Sequence, residues 1–228
     1  NPLGTGGGIR NAYKFLKGKE PFFVFNGDIL SDFNLDEILS FHKEKGAYVT
    51  ICLVKVDNPS DFGLVLTDEN GKIKKFIEKP KPEEIISDKI NAGVYVFQPD
   101  VLEEIPPNKN VSIEKETFPQ ILQKGKEMFG YIHYGYWLDV GTIDKFRKAN
   151  FDVLDGEISL LYQVNEKNVI SEPSSIIPEE ISIDGKLVVG KGSLLKENIE
   201  IKGKCIIGDN CFIGENCNIE NSIIFNNV

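Results

Sequence analysis

A six-residue period runs through the last third of the chain. Ile183, Val189, Leu195, Ile201, Ile207, Ile213, Ile219 and Phe225 are all apolar, and each lies six positions after the one before. Two positions ahead of each stands Ile181, Leu187, Ser193, Ile199, Cys205, Cys211, Cys217 or Ile223, all apolar or small. Gly190, Gly208 and Gly214 directly follow three of the periodic residues. A helix repeats every ~3.6 residues and a strand every ~2, so neither holds one phase over so many steps. A hexapeptide period with small corner residues specifies a β-helix, one short strand and one corner per repeat. We expect a left-handed parallel β-helix over residues 181–228, with the periodic residues pointing inward. Residues eighteen apart, such as Val189 and Ile207, should stack, and the end at Ile223 and Phe225 should be open and apolar.

The whole chain has ordinary globular composition, 41% hydrophobic and 27% charged. No apolar run is long enough to span a bilayer. The net charge of -9 excludes a general nucleic-acid binder, which needs a basic face. The four cysteines form no framework. Cys52 sits in a Val/Ile-rich stretch and the other three fall on the period, so they read as reduced, small core residues. The chain opens on Asn1-Pro2-Leu3 without a preceding strand and stops inside the repeat phase, so it reads as a fragment.

Residues 21–25 are continuously apolar, as in a strand buried on both faces. Asn34-Leu35-Asp36-Glu37 reads as a capping box opening a helix that Gly46 ends, and residues 47–56 form the next buried strand. This order suggests a parallel α/β sheet. Phe62–Thr67 and Lys72–Glu78 flank a turn at 68–71 and read as a hairpin. Strands follow at 90–97 and 129–134, and helices after Pro99, over 113–123 and after Thr142. Residues 136–141 read as an aromatic-rich loop. The expected domains are 1–162 and 181–228, joined by a linker over 163–180.

Five motifs carry possible chemistry, each with a bland alternative. Gly4 and Gly6–Gly8 precede an expected helix over 9–16, which makes either an anion site at a helix N-terminus or a flexible turn. Asp28, in Asn26-Gly27-Asp28 at a strand end, suits a Mg2+ ligand or a turn aspartate capping its own backbone. Glu78-Lys79-Pro80 is either a solvated ion pair or a sugar-phosphate clamp. Asn91-Ala92-Gly93, polar then small inside a strand, marks close approach of another body. In Trp137-Leu138-Asp139 an aromatic wall precedes a carboxylate that could complete a metal site with Asp28.

Taken in order, with Pro2-Leu3-Gly4-Thr5-Gly6-Gly7, Phe62-Gly63 and the hexapeptide repeats, these motifs resemble the sugar-nucleotide pyrophosphorylases. Within that nucleotidyltransferase family they are most similar to the mannose-1-phosphate guanylyltransferases. The resemblance covers essentially the whole chain. It implies a Rossmann-like α/β domain with a mixed, mostly parallel sheet, lacking its first strand and Gly-rich triphosphate loop, followed by the β-helix. It also implies a cytoplasmic enzyme that joins a nucleoside triphosphate to a sugar 1-phosphate with Mg2+, giving GDP-mannose; self-association through the β-helix is expected from its open apolar end at Ile223 and Phe225. By the same resemblance Leu3, Gly4 and Thr5 lie against base and ribose. Asp28 and Asp139 hold the metal. Gly63, Glu78, Asn91 and Gly93 line the sugar pocket, and Lys79 meets the sugar phosphate. A chain without the Gly-rich loop is expected to bind nucleotide poorly.

Alternatives within the family are a thymidylyl- or uridylyltransferase and a non-catalytic regulatory subunit. The presence of Asp28, Lys79 and Asp139 favours the enzyme. An acyltransferase β-helix would need a histidine among the repeats, and none follows His133. His42 and His133 read as structural.

Overall fold

A computed structural model describes residues 2–18, 20–158 and 168–228. The chain divides into two compact units, Asn1–Asp139 and Val140–Val228. The boundary expected at 162–163 lies outside the described residues, as does the first part of the expected linker.

The first unit begins with α1 (Gly4–Asn11) and α2 (Tyr13–Leu16), then β1 (Phe22–Phe25), β2 (Ile29–Ser31), α3 (Leu35–Glu44) and β3 (Val49–Lys55). The hairpin β4 (Gly63–Thr67) and β5 (Ile73–Glu78) forms as expected, then β6 (Lys89–Phe97). A wide turn at Ile113–Thr117, where Thr117 N bonds Ser112 O, leads into α4 (Phe118–Gln123). β7 (Met128–Ile132) and β8 (Trp137–Asp139) close the unit. Trp137–Asp139 is therefore a strand and not the expected loop, because it pairs antiparallel with β2.

The main sheet has the order β5-β4-β6-β3-β7, with β1 also on β6. It is mixed. β1, β3, β4 and β7 run one way, yet only the β3–β7 ladder is parallel, because the reversed β6 lies between β1 and β3. Alternation along β3 and β6 gives the sheet two buried faces. Val49, Ile51, Leu53, Tyr95 and Phe97 pack toward Phe118 and Ile121. Cys52, Val54, Val94 and Val96 pack toward Ile38 of α3. Asn34 Oδ1 accepts from Glu37 N at 3.3 Å, the cap expected for α3.

The second unit carries α5 (Ile143–Asp155), capped at Thr142, and a parallel β-solenoid. Its strands are β9 (Val169–Ser171), β10 (Ser182–Val189), β11 (Leu194–Leu195), β12 (Glu200–Ile207), β13 (Phe212–Ile213), β14 (Asn218–Glu220) and β15 (Ile223–Ile224). Ile183, Ile201 and Ile219 stack on one wall, Val189 on Ile207 on another, and Leu195 on Ile213 on a third. The stacked pairs are eighteen residues apart, as the period requires. Val189, Leu195, Ile201 and Ile207 are buried. The ladder reaches back to Val169, inside the stretch expected as linker.

Corners recur at the same interval. Gly203 and Asn221, Gly192 and Asn210, and Asn198 and Asn216 all have positive φ, which only glycine and asparagine adopt at little cost. Phe225 departs from the expected phase. After Asn221 the coil is one residue short, so Ile224, not Phe225, pairs with Ile207. Phe225 instead stays exposed and stacks on Phe146, ring centroids 5.9 Å apart.

Candidate functional site

The site starts from an irregularity in β6. On one edge β1 pairs with residues 94–97 and β4 meets only Ile90, so Asn91–Gly93 lies between the two strands. On the other edge the β3 register jumps from Ile51↔Tyr95 to Leu53↔Asn91, leaving two extra residues in β6. This bulge is built by its own sequence. Gly93 has φ +72, which a branched side chain would resist. Asn91 Oδ1 accepts from Gly93 N at 3.0 Å, and Asn91 Nδ2 donates to the Tyr95 hydroxyl at 2.8 Å. Asn26 N donates to Gly93 O at 2.8 Å. A Cβ on Gly93 would lie 2.7 Å from Asn26 Nδ2, so the glycine is needed for contact as well as conformation.

β1 thus ends on the bulge, and the chain turns through Gly27 and the exposed Asp28 into β2. β2 pairs with β8 in the register Ile29↔Asp139 and Ser31↔Trp137. Asp28 and Asp139, remote in sequence, are therefore one residue out of register on a two-stranded ribbon. Trp137 Nε1 donates to Ala92 O at 2.9 Å, which ties the ribbon to the bulge. The Trp137 ring meets Phe62 edge-on at 5.6 Å.

The Phe62 carbonyl accepts from Lys79 N at 3.2 Å, so the ribbon leads directly to Glu78-Lys79. Gly63 faces Glu78 across the hairpin, and a Cβ there would lie 2.6 Å from Phe76 Cζ and 2.9 Å from Glu78 Oε2. Lys79 is exposed and has φ +50, an uncommon backbone state for a lysine and one that costs about 1–2 kcal/mol. No ion pair joins it to Glu78 among the described residues. Burial, and next the Glu114 charge, hold the half-buried Glu78 carboxyl above its ordinary pKa, against the pull of Lys115 and Lys79.

The glycine-rich start differs from expectation. The helix begins at Gly4, so the glycines lie inside α1 rather than ahead of it. Gly6 N donates to Val111 O at 2.9 Å, and Val111 N to Leu3 O at 2.9 Å. A Cβ on Gly4 would lie 2.5 Å from Val111 O, and one on Gly7 2.5 Å from Lys109 O. The glycines admit the 109–111 backbone, and the Gly6 amide is not free for an anion. Thr5 Oγ1 donates to Glu114 Oε2 at 2.8 Å and accepts from Ile113 N at 2.9 Å.

Leu3–Thr5 therefore connects through Glu114 toward Glu78. Glu114, Asn26 and Tyr95 belong to this arrangement and had no assigned role in the sequence. Only Asn26 carried a signal, its place beside Asp28. No cluster of three or more His, Cys, Asp or Glu that could hold a metal forms among the described residues. The ribbon offers two carboxylates, a donor set that suits a hard divalent cation sharing its remaining positions with water and phosphate.

A family model described as nucleotidyl transferase matches residues 1–156. The chain belongs to this family. Mannose-1-phosphate guanylyltransferase of Mycobacterium tuberculosis is 38% identical over 196 residues, 85% of this chain and 54% of that protein. Mannose-1-phosphate guanylyltransferase catalytic subunit beta of Drosophila melanogaster is 46% identical over 146 residues, 64% of this chain and 38% of that protein. The chain spans about half the length, or less, of these curated relatives. The crystal structure of HddC from Yersinia pseudotuberculosis superposes with a TM-score of 0.55 at 26% identity, covering 65% of this chain and 62% of that one. A putative glucose-1-phosphate thymidylyltransferase from Bacillus anthracis, at 22% identity and TM-score 0.58, shares the fold. No helix among the described residues is long and apolar enough to cross a membrane.

Proposed function

We propose that the protein transfers a nucleotidyl group from GTP to mannose 1-phosphate, giving GDP-mannose and pyrophosphate. The observation that supports this reading is the β2–β8 register Ile29↔Asp139, which brings the Asp28 turn and Asp139 to the same end of one ribbon. The names of the relatives weigh for guanine and mannose over the thymidylyl and uridylyl alternatives.

In the reaction an oxygen of the sugar phosphate attacks the α-phosphorus in line. The new P–O bond forms as the bond to the pyrophosphate oxygen breaks. The attacking oxygen is already ionised, so no general base is needed, and the described residues offer no candidate triad. Lys79 holds the sugar phosphate, and its ammonium offsets the negative charge brought together there. Glu78 accepts from sugar hydroxyls, Gly63 lets the sugar approach the strand, and Asn91 and Gly93 line its pocket. Leu3, Gly4 and Thr5 lie against base and ribose. Asp28 and Asp139 would hold Mg2+, which supplies charge neutralisation at the α-phosphate. The enzyme is cytoplasmic and self-associates through the solenoid unit, where a cleft of about 590 Å³ lined by Ile143, Phe146, Ile223 and Phe225 leaves Ile143, Phe146 and Phe225 exposed.

The test is pyrophosphate release by the full-length protein against a matrix of triphosphates and sugar 1-phosphates. Turnover highest with GTP and mannose 1-phosphate supports the proposal. Highest turnover with dTTP or UTP and glucose 1-phosphate moves it to the alternative. No turnover with any pair leaves the regulatory-subunit reading.

A further inference from the structure

The β2–β8 ribbon is short, with three residues in each strand, yet it carries both candidate metal ligands at one end. At the opposite end Trp137, paired with Ser31, fastens it to the bulge. Just beyond that pair the ladder continues through Asp32 N and Tyr136 O at 3.3 Å. Here the Asp32 carboxylate meets His133 Nε2 at 2.7 Å. An ionised carboxylate only accepts, so Nε2 carries the proton. His133 directly follows β7, and its own amide donates to Leu53 O at 2.8 Å, which anchors it to the central sheet. Phe33 packs on the imidazole with centroids 4.3 Å apart, and the His133 side chain is only 11% exposed.

Gly135 completes the arrangement. A Cβ there would lie 2.4 Å from Asp32 Oδ1 and 2.7 Å from His133 Nε2. The contact thus occupies space that any other residue at 135 would fill. An incidental surface ion pair makes no such demand on its neighbours, and its partners are usually both well exposed.

We infer that Asp32 and His133 are positioning residues that hold the far end of the ribbon on the sheet and so fix the spacing of Asp28 and Asp139. This rests on the two-carboxylate reading of the site. Outer partners that orient ligating groups commonly change metal affinity by roughly 10–100-fold when removed. A partner acting through a whole ribbon belongs at the low end of that range.

The probe is Mn2+ alone, its binding to the full chain followed by the electron paramagnetic resonance signal of free ion. Asp28→Asn should abolish binding. Asp32→Ala and His133→Ala should each weaken it by about tenfold, with the far-ultraviolet circular dichroism unchanged. His133→Gln, whose amide can donate from nearly the same place, should restore wild-type affinity. Wild-type affinity in Asp32→Ala and His133→Ala, with binding lost in Asp28→Asn, overturns the positioning role and leaves the metal site standing. Undiminished binding in Asp28→Asn removes the metal site, and this inference with it. Failure of His133→Gln to restore affinity also counts against the contact. If Asp32→Ala does not fold, the two His133 variants carry the comparison.

Discussion

Gly93→Ala puts the bulge to a quantitative test. The native φ of +72 costs an alanine about 1–2 kcal/mol. The new methyl would sit 2.7 Å from Asn26 Nδ2 and 3.0 Å from Asn26 Cγ, so that side chain must move, at a cost of about 1–3 kcal/mol. Loss of glycine's freedom in the unfolded chain returns about 0.4–1 kcal/mol. The expected net loss is about 2–3 kcal/mol. The assay is urea unfolding followed by Trp137 fluorescence, since Trp137 is the chain's one tryptophan and bonds the bulge directly. Asn26→Ala separates the two costs. In that background Gly93→Ala should lose only the conformational part, about 1 kcal/mol. A loss below about 0.5 kcal/mol in the native background would refute the strain argument. Equal losses in both backgrounds would refute the clash with Asn26.

Four further outcomes follow from the same geometry. Asp28→Asn, in an exposed turn, should lower turnover of the full-length protein by orders of magnitude while leaving its Tm nearly unchanged. A large fall in Tm instead would mean that Asp28 only caps the turn. Lys79→Ala should raise KM for the sugar 1-phosphate by roughly 10- to 150-fold, the equivalent of about 1.5–3 kcal/mol, and unchanged kinetics would remove Lys79 from the phosphate. Buried His42, bonded to Thr50 at 2.9 Å and Gln98 at 3.1 Å, has its pKa lowered to about 4, first by desolvation and then by Lys43. Its neutral form is the one the fold favours, so this stability is complete above the ordinary value of 6.5 and is lost as pH falls toward 4. Urea midpoints should decline over that window in the wild type and less in His42→Gln. Gly203→Ala, with φ +66 and a Cβ 2.2 Å from Asn221 Oδ1, should cost the solenoid about 2 kcal/mol or more, read by calorimetry, and an unchanged transition would contradict the corner assignment.

What could be read from the sequence was what repeats or what acts locally. The hexapeptide phase determined the solenoid and its inward residues, because each coil places side chains by counting along the chain. Asn34 and Thr142 named their own helix starts, since a cap satisfies amides only two or three residues away. The order of the motifs was enough to place the chain in its family. Tertiary structure decided the rest. Trp137–Asp139 has no strand-like period of its own and extends only because β2 lies beside it. The glycines of α1 resembled a phosphate loop until the 109–111 backbone proved to occupy the space they leave. Glu114 was invisible as a neighbour of Thr5 and Glu78, because a wide turn far along the chain delivers it. Phe225 obeyed the period in sequence and left it in space, because the coil loses one residue after Asn221. A local rule propagates only while the backbone keeps its step, whereas a site assembled from remote segments exists only once strand pairing has brought them together.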